Sequence, residues 1–504
     1  MNCTFATWMT LGLKLEAYLD ILTYGVKLEL GCPTDCARCP TSRTMVTASG
    51  EVPPPLLFFT CLVCTGVMAN FTLLVPVSTY YSATLLESGV IVSSYAGGAI
   101  VSLYFWSTYD RRAVRPAYVL QACLMCAGNG LFAIVAAAGL SREATFYGLL
   151  LARFVVGLEA GCMYNANLAL VGYSSAEHRV RYLAMYQSFV GLGLVLGPAV
   201  SSSCLAVARG VGSVVLEESL SAAVMAAWGL VVLALVATRL PGDADLERDY
   251  GRVAVSGLDD VAAAKAISRA DRGLLSVRQE LLLEIFLGNL LRIYQRLGWE
   301  VGAVVVLAAN YDWGYVAAGY ALSSFGFFQA LGQYVFSRYC KASHPVRALH
   351  VLELLEAASI AAMFTKSNAK VGTALDASLC AVFLAASLLF YIANCLTSAP
   401  FNALVLERAV GIDKEDMMRA SQYGIFVALG LAPIVVRGAM DYLASAKDHQ
   451  DTLAGILLVG WGFQTLVNSV LTGRRGAPPK AGPDDGARPD GEGAPLVAKG
   501  GGAV

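Results

Sequence analysis

The chain alternates long apolar runs with short charged gaps. Eight stretches of 20 or more residues contain no Asp, Glu, Lys or Arg: 56–86, 88–109, 117–141, 182–208, 219–238, 313–337, 377–406 and 452–473. About 20 mostly apolar residues suffice for a helix to cross roughly 30 Å of hydrocarbon, so each stretch predicts a transmembrane span. Four more, 144–176, 281–311, 346–365 and 417–436, keep the apolar character but are broken by a few charges. The pattern therefore predicts twelve helical spans. Their glycines and prolines argue little against helix, since both are tolerated in membrane helices.

The gaps between spans carry the orientation signal. Those after spans 2, 4, 6, 8 and 10 hold 16 Lys and Arg, and those after the odd-numbered spans hold 6. Basic residues collect on the cytoplasmic side, which puts the even gaps and both termini in the cytoplasm. A count wrong by one span would scramble this alternation, so the asymmetry also supports twelve.

Composition closes off other classes. Charged residues are 14% and hydrophobic residues 57% of the 504, with a mean hydropathy of +0.60. A soluble domain is about 25% charged, so this chain lacks the polar surface a soluble globule of its size needs. The net charge is −1, from 36 basic and 37 acidic residues, which leaves no basic excess for nucleic acid. Apolar content excludes disorder for the body of the chain. The flanks differ. Residues 1–52 contain no signal-peptide run, so no cleaved signal is expected; this cytoplasmic segment is amphipathic in places over 11–30, where it could lie on the membrane face. Residues 239–280 form a charged cytoplasmic loop between the two groups of six spans, 53–238 and 281–473. Residues 474–504, rich in Gly, Pro, Ala and Asp, are expected to be a disordered cytoplasmic tail.

Six spans, a long loop and six more spans suggest a duplicated unit. A shift of 235 residues lays spans 1–5 over spans 7–11 and sets Asn167 on Asn402, Gln187 on Gln422, Pro198 on Pro433 and Arg112 on Arg347. The shared hydropathy frame carries this inference more than the identities do. Two parallel six-helix repeats about an axis normal to the membrane are a transporter architecture.

Three motifs lie on that frame. The loop after span 2 runs from Trp106 through Asp110, Arg111, Arg112 and Ala113 to Arg115 and Pro116. Span 4 carries Arg153, Gly157 and Gly161 at four-residue spacing, and span 5 carries Gly193, Gly197 and Pro198. In order and position these resemble the signature motifs of the major facilitator superfamily over roughly residues 55–473. The resemblance implies an all-α membrane fold of twelve helices. It also implies a gating loop at Asp110, Arg111 and Arg115, and helix-packing motifs at Gly157, Gly161, Gly193, Gly197 and Pro198. The first motif departs from the family pattern: Trp106 and Ala113 stand where it has glycines. Asn70 and Pro76, then Tyr80, Tyr81 and Ser82, and Tyr104-Phe105 ahead of Arg115-Pro116, look like the plant vacuolar phosphate transporters of the SPX-MFS branch. The 52 residues ahead of span 1 are too few for an SPX domain. That branch's basic cluster after the helix-4 arginine is replaced by the uncharged run 162–167, which weakens phosphate as a substrate.

Charge inside a bilayer costs several kcal/mol on insertion scales, so Arg153 needs compensation. At 100° per residue, Gly157, Tyr164 and Asn167 fall within about 40° of it and form one face. Arg153 is either part of a solute path or a structural tie to a neighbouring carboxylate or carbonyl. Glu159 points about 120° away and is expected to pair or pack elsewhere. In span 7, Asn289, Arg296 and Glu300 share a face with Arg292 at its edge; Arg296 and Glu300 are spaced to pair along the helix. Either this is a cavity stripe with Glu300 able to bind a proton, or the arginines lie in the cytoplasmic interface and snorkel. In the superfamily helices 1, 4, 7 and 10 line the central path. The resemblance thus nominates Asn70, Arg153, Tyr164, Asn167, Arg296, Glu300, Asn394 and Asn402, with Gln187, Gln329 and Gln333 as possible contributors. Glu353 and Glu356 lie in span 9, peripheral in the superfamily, and read either as packing against a partner helix or as an error in the span frame, ahead of transport chemistry.

The 13 cysteines assign no metal or cofactor. Cys32, Cys36 and Cys39 would need a fourth ligand, and only Cys3 is near; plain loop or lipidation fits better. Asn70-Phe-Thr72 matches a glycosylation sequon but is buried in a span, and Asn2-Cys-Thr4 lies on the cytoplasmic side. No nucleotide-binding Gly-rich loop is present. The chain reads as a secondary transporter working by alternating access, with proton coupling as the default and Glu300 as its carrier, in contact with the lipid bilayer and a small solute such as an anion. A monomer suffices for it. An anion channel and a non-transporting receptor or scaffold on the same fold are the alternatives, and an enzyme is the least favoured class.

Overall fold

A computed structural model describes residues 51–108, 114–174, 176–250, 272–339, 345–364, 374–408, 414–443 and 449–473. The expected N-terminal segment, most of the central loop and the tail lie outside the described residues. The described residues fall within the compact unit Ala48–Val504. They are helical, with no strand among them. In chain order the α-helices are α1 Pro54–Leu73, α2 Leu85–Thr108, α3 Val114–Ala137, α4 Arg142–Gly157, α5 Cys162–Tyr173, α6 Ala176–Val211, α7 Val214–Arg239, α8 Asp243–Tyr250, α9 Arg272–Tyr311, α10 Tyr315–Tyr339, α11 Pro345–Met363, α12 Ala374–Leu396, α13 Ser398–Arg408, α14 Lys414–Leu443 and α15 His449–Gly473.

Nine helical runs among the described residues are long and apolar enough to cross a membrane. They cover expected spans 1–6 and 10–12. Spans 7–9 coincide with α9, α10 and α11. These are helical too, but less apolar: α9 carries Arg292, Arg296 and Glu300, α10 carries Gln329 and Gln333, and α11 carries Arg347, His350, Glu353 and Glu356. Two expected spans are not continuous α-helix. Span 4 passes through a 3₁₀ turn at Leu158–Gly161, and span 10 is divided between α12 and α13.

Local chemistry sets the ends. Pro53 caps α1 and a proline opens it, where the missing N–H costs nothing. Ser141 and Ser213 cap α4 and α7 with side-chain hydroxyls that accept from Ala144 N and Leu216 N. Gly212, at φ 73°, makes the left-handed turn between α6 and α7.

Packing repeats across the two halves. Helix α1 lies on α6 as α9 lies on α14; α3 lies on α7 as α11 lies on α15; α2 lies on α4 as α10 lies on α12. The halves meet through α2 against α14 and α6 against α10. Those two contacts exchange under the same pairing, as a two-fold relation between halves requires. The outside is apolar: Ile134, Tyr147, Leu354 and Leu466 are each at least 60% exposed, a surface suited to lipid rather than water.

Candidate functional site

Polar side chains gather at two depths of the bundle, one cluster in each half. In the first half, Arg153 of α4 is fully buried and donates to the main-chain carbonyls of Asn70 (3.0 Å) and Phe71 (3.3 Å) on α1. Its guanidinium lies 5.0 Å from the centre of the Tyr95 ring, a cation–π distance. Asn70 donates to Glu159 Oε1 at 2.9 Å and accepts from Asn129 at 3.0 Å. Tyr95 donates to the Val67 carbonyl at 3.1 Å and reaches Glu159 at 3.5 Å. Of the two readings open for Arg153, this geometry is that of a tie. The position of Glu159 differs from the helical-wheel expectation. The 3₁₀ turn that contains it winds about 120° per residue instead of 100°, and its carboxylate joins the Arg153 cluster through Asn70.

The other positions nominated in this half divide. Tyr164 is buried. Asn167 donates to the Met163 carbonyl (3.0 Å) and to the Tyr186 hydroxyl (3.2 Å). Gln187, on α6, is exposed. A Cβ on Gly157 would strike the Tyr95 carbonyl, and one on Gly161 would strike Ser102, so this motif lets α4 press against α2. In the same way, Gly193 and Gly197 seat α6 on Thr65, Ala69 and Thr72 of α1. Asp110 and Arg111 lie outside the described residues. Arg115 opens α3 and donates to the Ala237 carbonyl at 2.7 Å, while the α8 residue Asp243 accepts from the backbone N–H of Val114 (3.1 Å) and Arg115 (3.3 Å).

In the second half, Glu300 and Arg296 lie on α9 as an ion pair with Nε and Oε1 3.7 Å apart, too long for a hydrogen bond. Tyr391 of α12 donates to Glu300 Oε1 at 2.5 Å, and the Cys395 thiol lies beside Arg296. Trp299 packs against Phe325 and Tyr391 with ring centres 4.8 and 5.0 Å apart. Glu300 and Tyr391 also line a narrow cavity closed by Thr72, Leu194, Pro198 and Leu322. That cavity draws on α1, α6, α9, α10 and α12 and so lies where the halves meet. Glu300 Oε2 and Arg296 Nε are buried without a hydrogen bond. Buried polar groups are rarely left so, and here they lie at or beside the cavity wall.

Arg292 donates to Asn289 at 2.5 Å and lies over Phe401. Both arginines are less than 10% exposed, so neither snorkels. Asn394 is buried but faces Glu356 rather than Glu300, and Asn402 is exposed on α13. Glu353 and Glu356 bond to Asn468 and Gln464 of α15, the partner-helix packing expected of them. Among the described residues no group of three or more His, Cys, Asp or Glu could hold a metal.

Sequence reasoning missed Arg437. It falls one residue beyond the expected span 417–436 and reads there as a flanking charge. In the structure it is fully buried at the junction of the halves. It donates to the hydroxyls of Ser78 and Ser88 (2.7 Å to the latter) and to the Val75 carbonyl at 2.9 Å. Asp441 accepts from Leu86 N nearby at 3.5 Å, and the Tyr80 and Tyr315 rings meet edge to face with centres 6.5 Å apart. The halves are thus joined by polar contacts at the end of the bundle where α1 finishes and α14 ends.

Comparison with known proteins agrees with this architecture. The family model described as Major Facilitator Superfamily matches residues 56–436. None of the curated proteins compared matches the chain. Among solved structures, a partially occluded inward-open conformation of the xylose transporter XylE from E. coli superposes with a TM-score of 0.56 at 13% identity, covering 84% of this chain and 99% of that one.

Proposed function

The chain belongs to the major facilitator superfamily, and on that premise we propose that it is a proton-coupled secondary transporter of a small anion, working by alternating access about the Arg296–Glu300–Tyr391 site. The observation that carries this reading is the buried Glu300 carboxylate, which lines the cavity shared by both halves with Oε2 unbonded and has Arg296 one turn away on the same helix. Their chemistry couples two ligands. With Glu300 ionised, Arg296 has a carboxylate partner in the same helix, and an arriving anion must compete with it. With Glu300 protonated, the guanidinium keeps its charge and turns to the anion, while Tyr391 still hydrogen-bonds the acid. Proton and anion therefore favour the same state, and a ligand shifts a conformational equilibrium only through such differential binding.

The resemblance to plant vacuolar phosphate transporters nominates inorganic phosphate as the first anion to test. One observation favours a second reading. Arg153 is taken up by carbonyls and Arg296 by Glu300, so no free fixed cation faces the cavity among the described residues. A neutral polyol resting on the Trp299–Tyr391 wall is consistent with that, and the similar solved structure is of a sugar transporter.

The discriminating experiment is uptake into proteoliposomes under an imposed pH gradient. Phosphate and xylose are compared, for the native sequence and for Glu300→Gln. Saturable phosphate uptake that follows the gradient, and loses its response in Glu300→Gln, is the expected result. Xylose uptake indifferent to pH would replace the anion reading with the neutral one. Phosphate flux that does not saturate would point to a channel, and no flux of either would remove both solutes.

A further inference from the structure

A second pair of carboxylates lies away from the central cavity. Glu353 and Glu356 are one turn apart on α11 and are 3% and 0% exposed. Glu353 Oε1 accepts from Asn468 at 2.6 Å, and its Oε2 lies 3.1 Å from His350 Nδ1. Glu356 Oε2 accepts from Gln464 at 3.3 Å, and Gln464 in turn accepts from Gln295 of α9. Glu356 Oε1 has no hydrogen bond. Asn394 of α12 turns its buried side-chain amide to the Glu356 carboxylate. The one cation facing Glu356 is Arg292 of α9. From α15 the pair meets only neutral groups, Gln464, Asn468 and the indole of Trp461, whose Nε1 donates to the Glu353 carbonyl.

Two adjacent carboxylates facing one arginine, one titratable histidine and several amides have a single fixed positive charge between them. Like charges this close in a low-dielectric interior do not both ionise readily. A buried carboxylate facing an amide, whose oxygen can accept, leaves room for a proton and an acceptor for it. His350 supplies a step toward the end of the helix. The His350 side chain is 45% exposed, touches Glu353, and lies one turn from it toward the start of α11, which is the cytoplasmic side in the expected orientation. Histidine is the side chain suited to passing protons near neutral pH.

We propose that Glu353 and Glu356 share one exchangeable proton, delivered from the cytoplasmic side through His350, at a site separate from the solute path. Loss of that proton gives the pair a second negative charge. The charge then acts on Arg292, one turn from Arg296 on the same helix. The link to transport rests on the function proposed above; proton binding by the pair does not.

The test uses the full chain in lipid nanodiscs and infrared difference spectroscopy. The protonated carboxylic acid band is followed as pH is raised from about 5 to 8. The expected result is a band that is lost in Glu356→Gln and Glu353→Gln but kept in Glu300→Gln. In His350→Gln the band should persist while its hydrogen–deuterium exchange slows by about tenfold or more, the loss expected for a removed proton shuttle. His350 is half-exposed, so this variant reports even where the buried ones fail to fold. A spectrum unchanged by both glutamate substitutions would overturn the proposal, since the pair would then be ionised throughout. A band that responds to sodium and not to pH would overturn it in favour of a cation site. Exchange unaltered in His350→Gln would remove the route. In proteoliposomes, Glu356→Gln should keep phosphate exchange and lose its response to the pH gradient. Absence of phosphate transport by the native sequence would count against the proposed solute, while the infrared result still decides the pair.

Discussion

The two halves solve the same problem, a buried arginine near a buried glutamate, in opposite ways. In the first half Arg153 and Glu159 are held among α1, α2, α3 and α4 by Asn70, Asn129, Tyr95 and two main-chain carbonyls. None of these side chains lines the central cavity. In the second half Arg296 and Glu300 lie 3.7 Å apart; each pair leaves an arginine Nε and a glutamate Oε2 unbonded, but only Glu300 lines the cavity. An arginine in a span is therefore not in itself a sign of solute binding. What separates a tie from a site is where the remaining polar valence points: into another helix, or into the cavity between halves.

The largest effect that follows is on stability. Arg153→Ala leaves Glu159 buried without its cation and strips donors from two α1 carbonyls. Removing one partner of a buried charge cluster costs about 3–5 kcal/mol, so the variant should show a large fall in thermal unfolding temperature in detergent, or fail to accumulate. Arg153→Met with Glu159→Leu should be more stable than Arg153→Ala alone, because no unpaired charge remains. An Arg153→Ala protein as stable as the native one, but unable to bind solute, would reverse the comparison and place Arg153 in the path.

Glu300→Gln should behave in the contrary manner. The amide is isosteric, Tyr391 can still bond to its oxygen, and unfolding should shift little. Solute binding should change instead. A hydrogen bond involving a charged group is worth about 1.5–3 kcal/mol, which is roughly a 10- to 100-fold change in affinity, together with loss of its pH dependence. Equilibrium binding of phosphate measured calorimetrically at two pH values checks both. Equal affinity and an intact pH response would exclude Glu300 as the coupling group.

The Arg437 junction gives an intermediate effect that belongs to neither half. Its planar fork reaches Ser78, Ser88 and the Val75 carbonyl together, and a lysine cannot satisfy all three. Arg437→Lys should weaken the closed arrangement at that end by about 1–2 kcal/mol, a roughly 5- to 30-fold shift in population. Labelling of a cysteine placed at the neighbouring Thr79, which Arg437 does not bond, should speed up in proportion. An unchanged labelling rate would mean that the α2–α14 packing alone holds the halves together.

The frame was legible in the sequence because hydropathy integrates over 20 residues and tolerates local error. Spans 7–9 show the margin: their polar residues depress apolarity, yet the flanking charge-free runs still mark them. The Arg296–Glu300 pair was legible from spacing alone, since i and i+4 meet on any regular helix. Glu159 was not, because a single 3₁₀ turn at Leu158–Gly161 changes its angle relative to Arg153. Arg437 was not, because burial between two halves depends on helices far apart in sequence. Asn394 had the expected helix but the wrong face. It turns to Glu356 and away from Glu300, a matter of rotation that neither hydropathy nor family position specifies.

The smallest change tests how far the second-half site is set by one hydroxyl. Tyr391 contributes its ring to the Trp299 and Phe325 cluster and its O–H to Glu300. Tyr391→Phe keeps the first and deletes the second. The ring contacts should hold the fold, so unfolding should be nearly unaltered. The lost bond leaves Glu300 to its ion pair with Arg296 and strengthens that pair against an incoming anion. A hydrogen bond of this kind is worth about 0.5–1.5 kcal/mol net, so phosphate affinity should fall by roughly 2- to 12-fold, a smaller change than in Glu300→Gln and opposite in sign, since a neutral residue at 300 frees Arg296 for the anion, with the pH response retained. The same substitution at Tyr95, in the first half, deletes the bond to the Val67 carbonyl and the contact with Glu159. Tyr95→Phe should therefore lower stability and leave affinity alone. If the two tyrosines gave the same phenotype, the distinction between a tie in one half and a site in the other would not survive.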